Sequence, residues 1–522
     1  MITGKTAVLM NVVSIQQYIF GSNKLKENIG ASYIIEEGLQ LRLKNSLERI
    51  TGSGVDMFAW KDSTSVLPDN YPIGFAGGGN TLLFFENNNI AKSFIEDFTT
   101  DTLLNFPGLR LSFGLKEDFN LTNYQADYND LLQDLKKRKY SYIPIVHIPK
   151  HGITSDCPLS NDAAEFLDKD LGAFISSSSS VKIASAGISK WDDFLVRKGL
   201  DKEYEFRNDI EDTLGQKEKG SYIAVVHVDG NGMGNVFSNI NSLEDLRSKS
   251  SAVSNKAVRA MESVIEILID DHRNGRLAEL NLEKTKPITL PITLPIRPVL
   301  VGGDDVTFIC EGRLGIYLAE CFIREFYDEE QRKNKDESKK LMDGACAGIA
   351  IIKTHFPFFK AVELAEELCK EAKITSKAAP GTGSFISYYY SSTTFSGSLN
   401  QLREKTQKSA LGLMHYGPYR LFDKDDPKSI EKLKEGIICF KNANGGVTWP
   451  KNKVMLLREI IARDNGSQKV FEKELSEAGL KLPGNTGGTI WFTKDQKNET
   501  PYFDQIELMD YYPDQLLKKN LL

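Results

Sequence analysis

The stretch YIAVVHVDGNGMG, residues 222–234, decides how this chain is read. Its first seven residues are an unbroken apolar run rich in β-branched side chains, which predicts a strand buried on both faces. The run stops at Asp229-Gly-Asn-Gly-Met-Gly234, where one carboxylate stands at the strand's end. A second acidic element follows in VLVGGDDVTFI, residues 299–309. Two short apolar runs flank Gly302-Gly303-Asp304-Asp305 there, predicting a β-hairpin with acids at its tip.

After Gly234 a helical pattern runs from about Leu243 to Asp270. The Pro-rich KPITLPITLPIRP, residues 286–298, predicts a loop, because proline fixes φ and removes a donor. Beyond the hairpin the pattern predicts a helix (Leu314 to Tyr327), a strand (Ala345 to Ile352), a helix (Phe358 to Lys373) and a strand (Phe385 to Tyr390). The order β-α-β-β-α-β with an extra helix is that of a ferredoxin-like, palm-type unit. The N-terminal region repeats it: strand Ala7 to Val12, helix from about Ala31, hairpin Ile73 to Phe85, helix Ile90 to Leu104, strand Leu109 to Leu115, helix Tyr124 to Lys137. Asn11 falls opposite Asp229, and Gly77-Gly-Gly-Asn80 opposite Gly302-Gly-Asp-Asp305, so an internal duplication is expected. The expected fold class is α+β. It comprises two tandem palms (1–150 and 220–390), a linking helical domain (151–219) and a C-terminal helical domain (391–522).

At roughly 150 residues per domain, 522 residues suit three to four units. A hydrophobic content of 41% rules out a disordered or fibrous chain. Lys plus Arg is 65 against 71 Asp plus Glu, so 65 − 71 = −6, which provides no global attraction for nucleic acid or an anionic membrane. The six cysteines form no C-x-x-C pair, so reduced thiols are expected. The apolar Thr6 to Val13 is too short to span a bilayer and carries no signal-peptide pattern, so a cytoplasmic protein without membrane contact is expected.

Palm-type nucleotidyl transfer uses two divalent ions about 3.5 to 4 Å apart. Asp229, Asp304 and Asp305 are the carboxylates that could hold them, with the Gly230 carbonyl in addition, and Mg²⁺ or Mn²⁺ suits this all-oxygen set. Gly230, Asn231 and Gly232 after the first strand, and Gly302 and Gly303 in the hairpin, would let a nucleotide approach the backbone. Glycine and aspartate also mark plain turns; it is the partnering of Asp229 with the hairpin that favours chemistry. Lys373 could meet triphosphate oxygens, or be a solvated lysine in the last turns of a helix. The first palm has Asn11, Gly79 and Asn80 where the acids would stand, and is expected to be catalytically silent. His147, His151 and Cys157 lack a fourth ligand, so no zinc is expected. Lys136 to Lys139 reads as a charged helix end rather than an RNA contact, and Phe356 to Phe359 and Tyr388 to Tyr390 as packing residues.

Five segments together resemble the large, polymerase-like subunit of type III CRISPR effector complexes, the Cas-ten family. They are SIQQYIFGSNKLKENIGAS, FAGGGNTLLFF, HVDGNGMGNVF, LPIRPVLVGGDDVTFIC and CAGIAIIKTHFPFFKAVELAEELCKEAK. The resemblance implies that the second palm condenses ATP into cyclic oligoadenylate, or a related adenylylated signal, using a divalent ion at Asp229, Asp304 and Asp305. It also implies partner subunits and, through them, crRNA and target RNA. Family members commonly carry an HD nuclease domain; this sequence begins within the first palm and has no His-Asp dipeptide, so DNA cleavage is not expected of it. Two other readings are a catalytically silent nucleotide-binding scaffold and a GGDEF-type diguanylate cyclase.

Overall fold

The computed structural model describes residues 3–61, 71–140, 155–160, 162–187, 189–209, 222–238, 240–280, 290–328, 342–378, 383–391, 397–441, 449–484, 489–494 and 497–519. The first palm is built from β1 (Thr3–Val12), α1 (Ile15–Phe20), α2 (Leu25–Tyr33), a π turn (Ile34–Gly38), α3 (Leu39–Thr51), β2 (Ile73–Gly77), β3 (Asn80–Phe85), α4 (Asn88–Asn105), β4 (Leu111–Asn120) and α5 (Tyr124–Tyr140). The helical region thus begins earlier than Ala31, and α1 is an element the periodicity missed. Six residues are too few to show a repeat of 3.6.

The linking segment holds a β5–β6 hairpin (Phe166–Asp168, Ala173–Ile175), α6 (Ser177–Ser185), α7 (Lys190–Arg197) and β7 (Tyr204–Glu205). The second palm follows with β8 (Tyr222–Asn231), α8 (Met233–Ser238), α9 (Leu243–Arg273), β9 (Ile292–Thr293), β10 (Ile296–Gly302), β11 (Asp305–Glu311), α10 (Gly315–Phe326), β12 (Gly344–Lys353), α11 (Phe358–Ala378) and β13 (Phe385–Tyr390). The Pro-rich stretch needs correction: residues 286–289 lie outside the described residues, but β9 and the start of β10 are strand. Pro298 is tolerated because β10 is the outermost strand of its sheet, where a missing N–H costs least.

The two sheets share one plan. Strand order is β2-β3-β1-β4 in the first palm and β10-β11-β8-β12-β13 in the second, the latter extended by a short β14 (Tyr419–Arg420), so each central strand lies between a hairpin arm and a later strand. The register coincides as well. Asn11 faces Asn80 and Ser112, as Asp229 faces Asp305 and Cys346; Leu9 faces Gly114, as His227 faces Gly348. A Cβ on Gly348 would stand 1.9 Å from the Ala365 carbonyl oxygen, and one on Gly114 2.7 Å from that of Leu131. Each glycine lets the following helix press onto its strand.

The second sheet is covered on both faces, as its unbroken apolar run requires. Ala224, Val226 and Val228 pack with α9 and α10, whereas Ile223 and Val225 join an apolar cluster continuous with the core of the first palm. Beyond residue 391 come α12 (Leu399–Thr406), β14 (Tyr419–Arg420), α13 (Ile430–Lys441), α14 (Lys451–Ile461), α15 (Asn465–Glu477), β15 and β16 (Phe492–Lys494, Lys497–Glu499), α16 (Tyr502–Glu507) and α17 (Asp514–Lys519). This region is mostly helical, and α14 to α16 gather a core of their own around Trp449. It is not cleanly separate: β14 extends the palm sheet, and Tyr419, Ile430, Leu433 and Leu516 lie in the second palm's core.

Candidate functional site

Asp229 and Asp305 are direct cross-strand partners at the end of β8 and β11. Directly opposed antiparallel residues have Cβ atoms about 4.5 to 5.5 Å apart, so the two carboxyls share one face at one level. Asp304 occupies the turn between β10 and β11, and its backbone oxygen accepts from the Gly230 N–H at 3.2 Å, which ties the hairpin tip to the end of β8. Gly303 has φ +62°, a left-handed conformation that the tight turn demands.

Crowding beside Asp229 in a partly closed site disfavours the charged forms of Asp304 and Asp305. Burial, then the Asp229 carboxylate, pushes Asp304 up to about 6 and Asp305 up to about 7. Gln16 on α1 of the first palm crosses to this centre and donates from Nε2 to Asp305 Oδ2 at 3.2 Å. Asp305 Oδ1 is buried with no hydrogen bond, and its nearest neighbour of potential positive charge is His227 Nδ1 at 3.4 Å. Burial holds His227 toward its neutral form, and its Nδ1 also lies 3.1 Å from Thr307 Oγ1. Gln16 and His227 were not singled out from sequence. His227 lies two residues before Asp229 on the same strand face, a signal that strand alternation carries.

Lys373, near the end of α11, pairs with the Asp229 carboxylate and donates to the Gly230 carbonyl at 3.2 Å. It therefore sits against two of the groups expected to hold a cation. Asn231 is buried, and its amide nitrogen points to Cys346 Sγ, Ser376 Oγ and the Gly383 carbonyl, at 3.3, 3.2 and 3.1 Å. That side chain braces β8 against α11, so any nucleotide approach at Asn231 would be to its backbone. A Cβ on Gly232 would collide with Asp343 at 2.2 Å, whereas one on Gly302 would meet nothing nearer than 3.9 Å.

Among the described residues, no three His, Cys, Asp or Glu side chains are already gathered as a closed metal cage. The groups present nevertheless fit a cation that brings its own oxygens: three mutually repelling carboxyls, an orphaned buried oxygen on Asp305 and an ammonium already drawn to Asp229.

The first palm repeats this geometry without carboxylates. Asn11 Nδ2 donates to Asn80 Oδ1 at 2.8 Å, and Lys139 Nζ donates to Asn11 Oδ1 at 3.1 Å. Lys139 follows Gly114 by 25 residues and Lys373 follows Gly348 by 25, so the two lysines are counterparts. One residue of the exposed basic run is thus engaged by the first palm itself. His147 and His151 lie outside the described residues, and Cys157 is buried against the Ser160 N–H at 3.4 Å. Phe358 packs on Phe20 and Tyr390 on Tyr511, as expected of packing aromatics.

Residues 222–379 match the family described as Cas10/Cmr2, second palm domain. The chain carries a Cas10/Cmr2-type second palm. Comparison with curated proteins finds no match. Among solved structures, a Csm1–Csm4 cassette in complex with AMPPNP superposes on this chain with a TM-score of 0.55 at 13% identity, covering 98% of this chain and 70% of that one. The cassette in complex with one ATP and the apo cassette each give 0.51 at 13% identity, with 98% and 97% of this chain and 70% of theirs covered. At such identity the likeness speaks for the fold, which extends over both palms. Among the described residues, no helix is long and apolar enough to cross a membrane.

Proposed function

We propose that the chain is a palm-type nucleotidyltransferase of a type III CRISPR effector complex, making cyclic oligoadenylate or a related adenylylated product from ATP. The observation that carries this reading is the direct opposition of Asp229 and Asp305, with Asp304 at the turn beside them, at the open end of paired strands. In the reaction, a 3′-hydroxyl oxygen bonds to the α-phosphorus of a second ATP, the bond to the β-phosphate oxygen breaks, pyrophosphate leaves, and the hydroxyl proton passes to solvent. Divalent ions such as Mg²⁺ or Mn²⁺, when bound by Asp229, Asp304, Asp305 and the Gly230 carbonyl, would supply activation of the hydroxyl and neutralise the triphosphate.

The chain's own groups prepare this centre. Lys373 offers the triphosphate an ammonium once it leaves Asp229. Gln16 holds Oδ2 of Asp305, so the first palm contributes to the centre without a carboxylate of its own. Partner subunits, and through them crRNA and target RNA, follow from the same family reading.

The test is pyrophosphate release with ATP and Mg²⁺, with product masses read with and without S-adenosylmethionine. Asp304→Ala combined with Asp305→Ala is expected to abolish release while the far-ultraviolet spectrum stays that of the parent. Unchanged turnover removes the proposal. A second reading, a silent nucleotide-binding scaffold, is favoured by the Lys373–Asp229 pair, since a lysine standing among cation ligands is also how an inert centre would be neutralised. Tight ATP binding by calorimetry without any product selects it.

A further inference from the structure

The tip acids are only as well placed as the strand that carries them, and β10 is the outermost strand of its sheet. Val301, immediately before Gly302-Gly303, faces Val306 on β11, and both its peptide groups turn away from the sheet. Both are met on that open edge by side chains of opposite charge. Its N–H donates to Glu36 Oε1 at 3.4 Å, and its carbonyl accepts from Lys190 Nζ at 3.3 Å. Glu36 and Lys190 also pair with each other, closing a ring of three contacts around one residue.

The two side chains come from different parts of the molecule. Glu36 lies in the π turn between α2 and α3 of the first palm, and such widened turns recur at functional positions. Lys190 is the first residue of α7, whose N-terminus is fixed by Ser189 accepting from the Trp191 N–H. The same helix meets β10 again lower down, where the buried Arg297 guanidinium lies 3.9 Å from Asp192. First palm and linking segment are thus joined on the one strand that leads into Asp304 and Asp305.

We infer that Glu36 and Lys190 are a latch that positions the Gly302–Asp305 hairpin: its closure sets where Asp304 and Asp305 stand relative to Asp229. Both are positioning residues, since neither touches the acids. The inference deepens the nucleotidyltransferase reading and rests on it for its kinetic readout.

A simple staple between two domains is indifferent to which partner carries which charge. A latch is not, because an N–H requires an acceptor and a carbonyl requires a donor. The exchanged variant E36K/K190E keeps an ion pair but offers a donor to the N–H and an acceptor to the carbonyl. In the full chain, E36A and K190A are expected to speed amide hydrogen exchange over residues 301–305 on the order of tenfold. They should lower kcat about 10- to 100-fold, with KM within about threefold, as misplacement of reacting groups does. E36Q and K190R, which keep acceptor and donor, should stay within about threefold of the parent. The exchanged variant should recover the parent's melting temperature yet exchange and turn over like the alanine variants. If the exchanged variant restores both amide protection and kcat, or if the alanine variants leave exchange at 301–305 unchanged, the latch is overturned. If the parent releases no pyrophosphate, the exchange measurement decides alone, so failure of the latch and failure of the nucleotidyltransferase reading are told apart. Should E36A not fold, K190A carries the same measurement from the carbonyl side.

Discussion

Asp304 and Asp305 hold their protons far more tightly than an ordinary aspartate, Asp304 to about 6 and Asp305 to about 7. Since an unfolded aspartate titrates near 3.9, the raised values favour the fold fully below about pH 4, and this contribution is lost as pH rises through 6 to 7. The metal-free chain should therefore soften between pH 4 and pH 8. Asp305→Asn removes part of that loss. Its thermal midpoint without metal should exceed the parent's by on the order of 2 °C at pH 8 and match it near pH 4. Added Mg²⁺ should raise the parent's midpoint increasingly as pH climbs from 4 toward 8, because at lower pH binding must displace those protons. A midpoint difference independent of pH would contradict the assignment of these groups as crowded, desolvated acids.

At the scale of elements, the packing of α11 on β12 depends on Gly348, where an added Cβ would lie 1.9 Å from the Ala365 carbonyl; the matching approach at Gly114 is 2.7 Å. Gly348→Ala should cost about 3 kcal/mol and Gly114→Ala less, read as a shift of the urea midpoint at constant slope. Equal and negligible costs would mean that the helices can simply lift away. The central strand β8 was legible, because an apolar run such as YIAVVHV has few alternatives, and Asp229 with Gly302-Gly303-Asp304-Asp305 pointed to the candidate site; β9 and the start of β10 were hidden by their prolines. Gln16, Glu36 and Lys190 were not legible. Their contacts to the hairpin span 289, 265 and 111 residues and leave no local period or turn signature. Lys373 was found only as a cation near phosphates; its attachment to Asp229 needed coordinates.

At the scale of the molecule, the C-terminal helices are fastened to the second palm through charges. Lys434 on α13 pairs with Glu320 on α10, both fully buried, and Arg324 bridges Glu320 at 2.8 Å and Glu431 at 3.2 Å. Burial alone would push the Glu320 carboxyl up, yet Lys434 and Arg324 hold it down. Lys434→Met strips one partner from a buried carboxylate, a loss worth about 3 kcal/mol even with Arg324 in place. Limited proteolysis should then release the C-terminal region earlier than in the parent, and an unaltered cleavage pattern would contradict this.

The sheet whose faces belong to two different cores has a further consequence. Ile223, Val225, Leu364 and Leu368 sit inside an apolar mass that also contains Leu9, Phe20 and Leu43 of the N-terminal half. The interval 222–379 that matches the family model therefore shares one of its two cores with residues outside it. Excised alone, it would bare an oily flank along its whole length and clump.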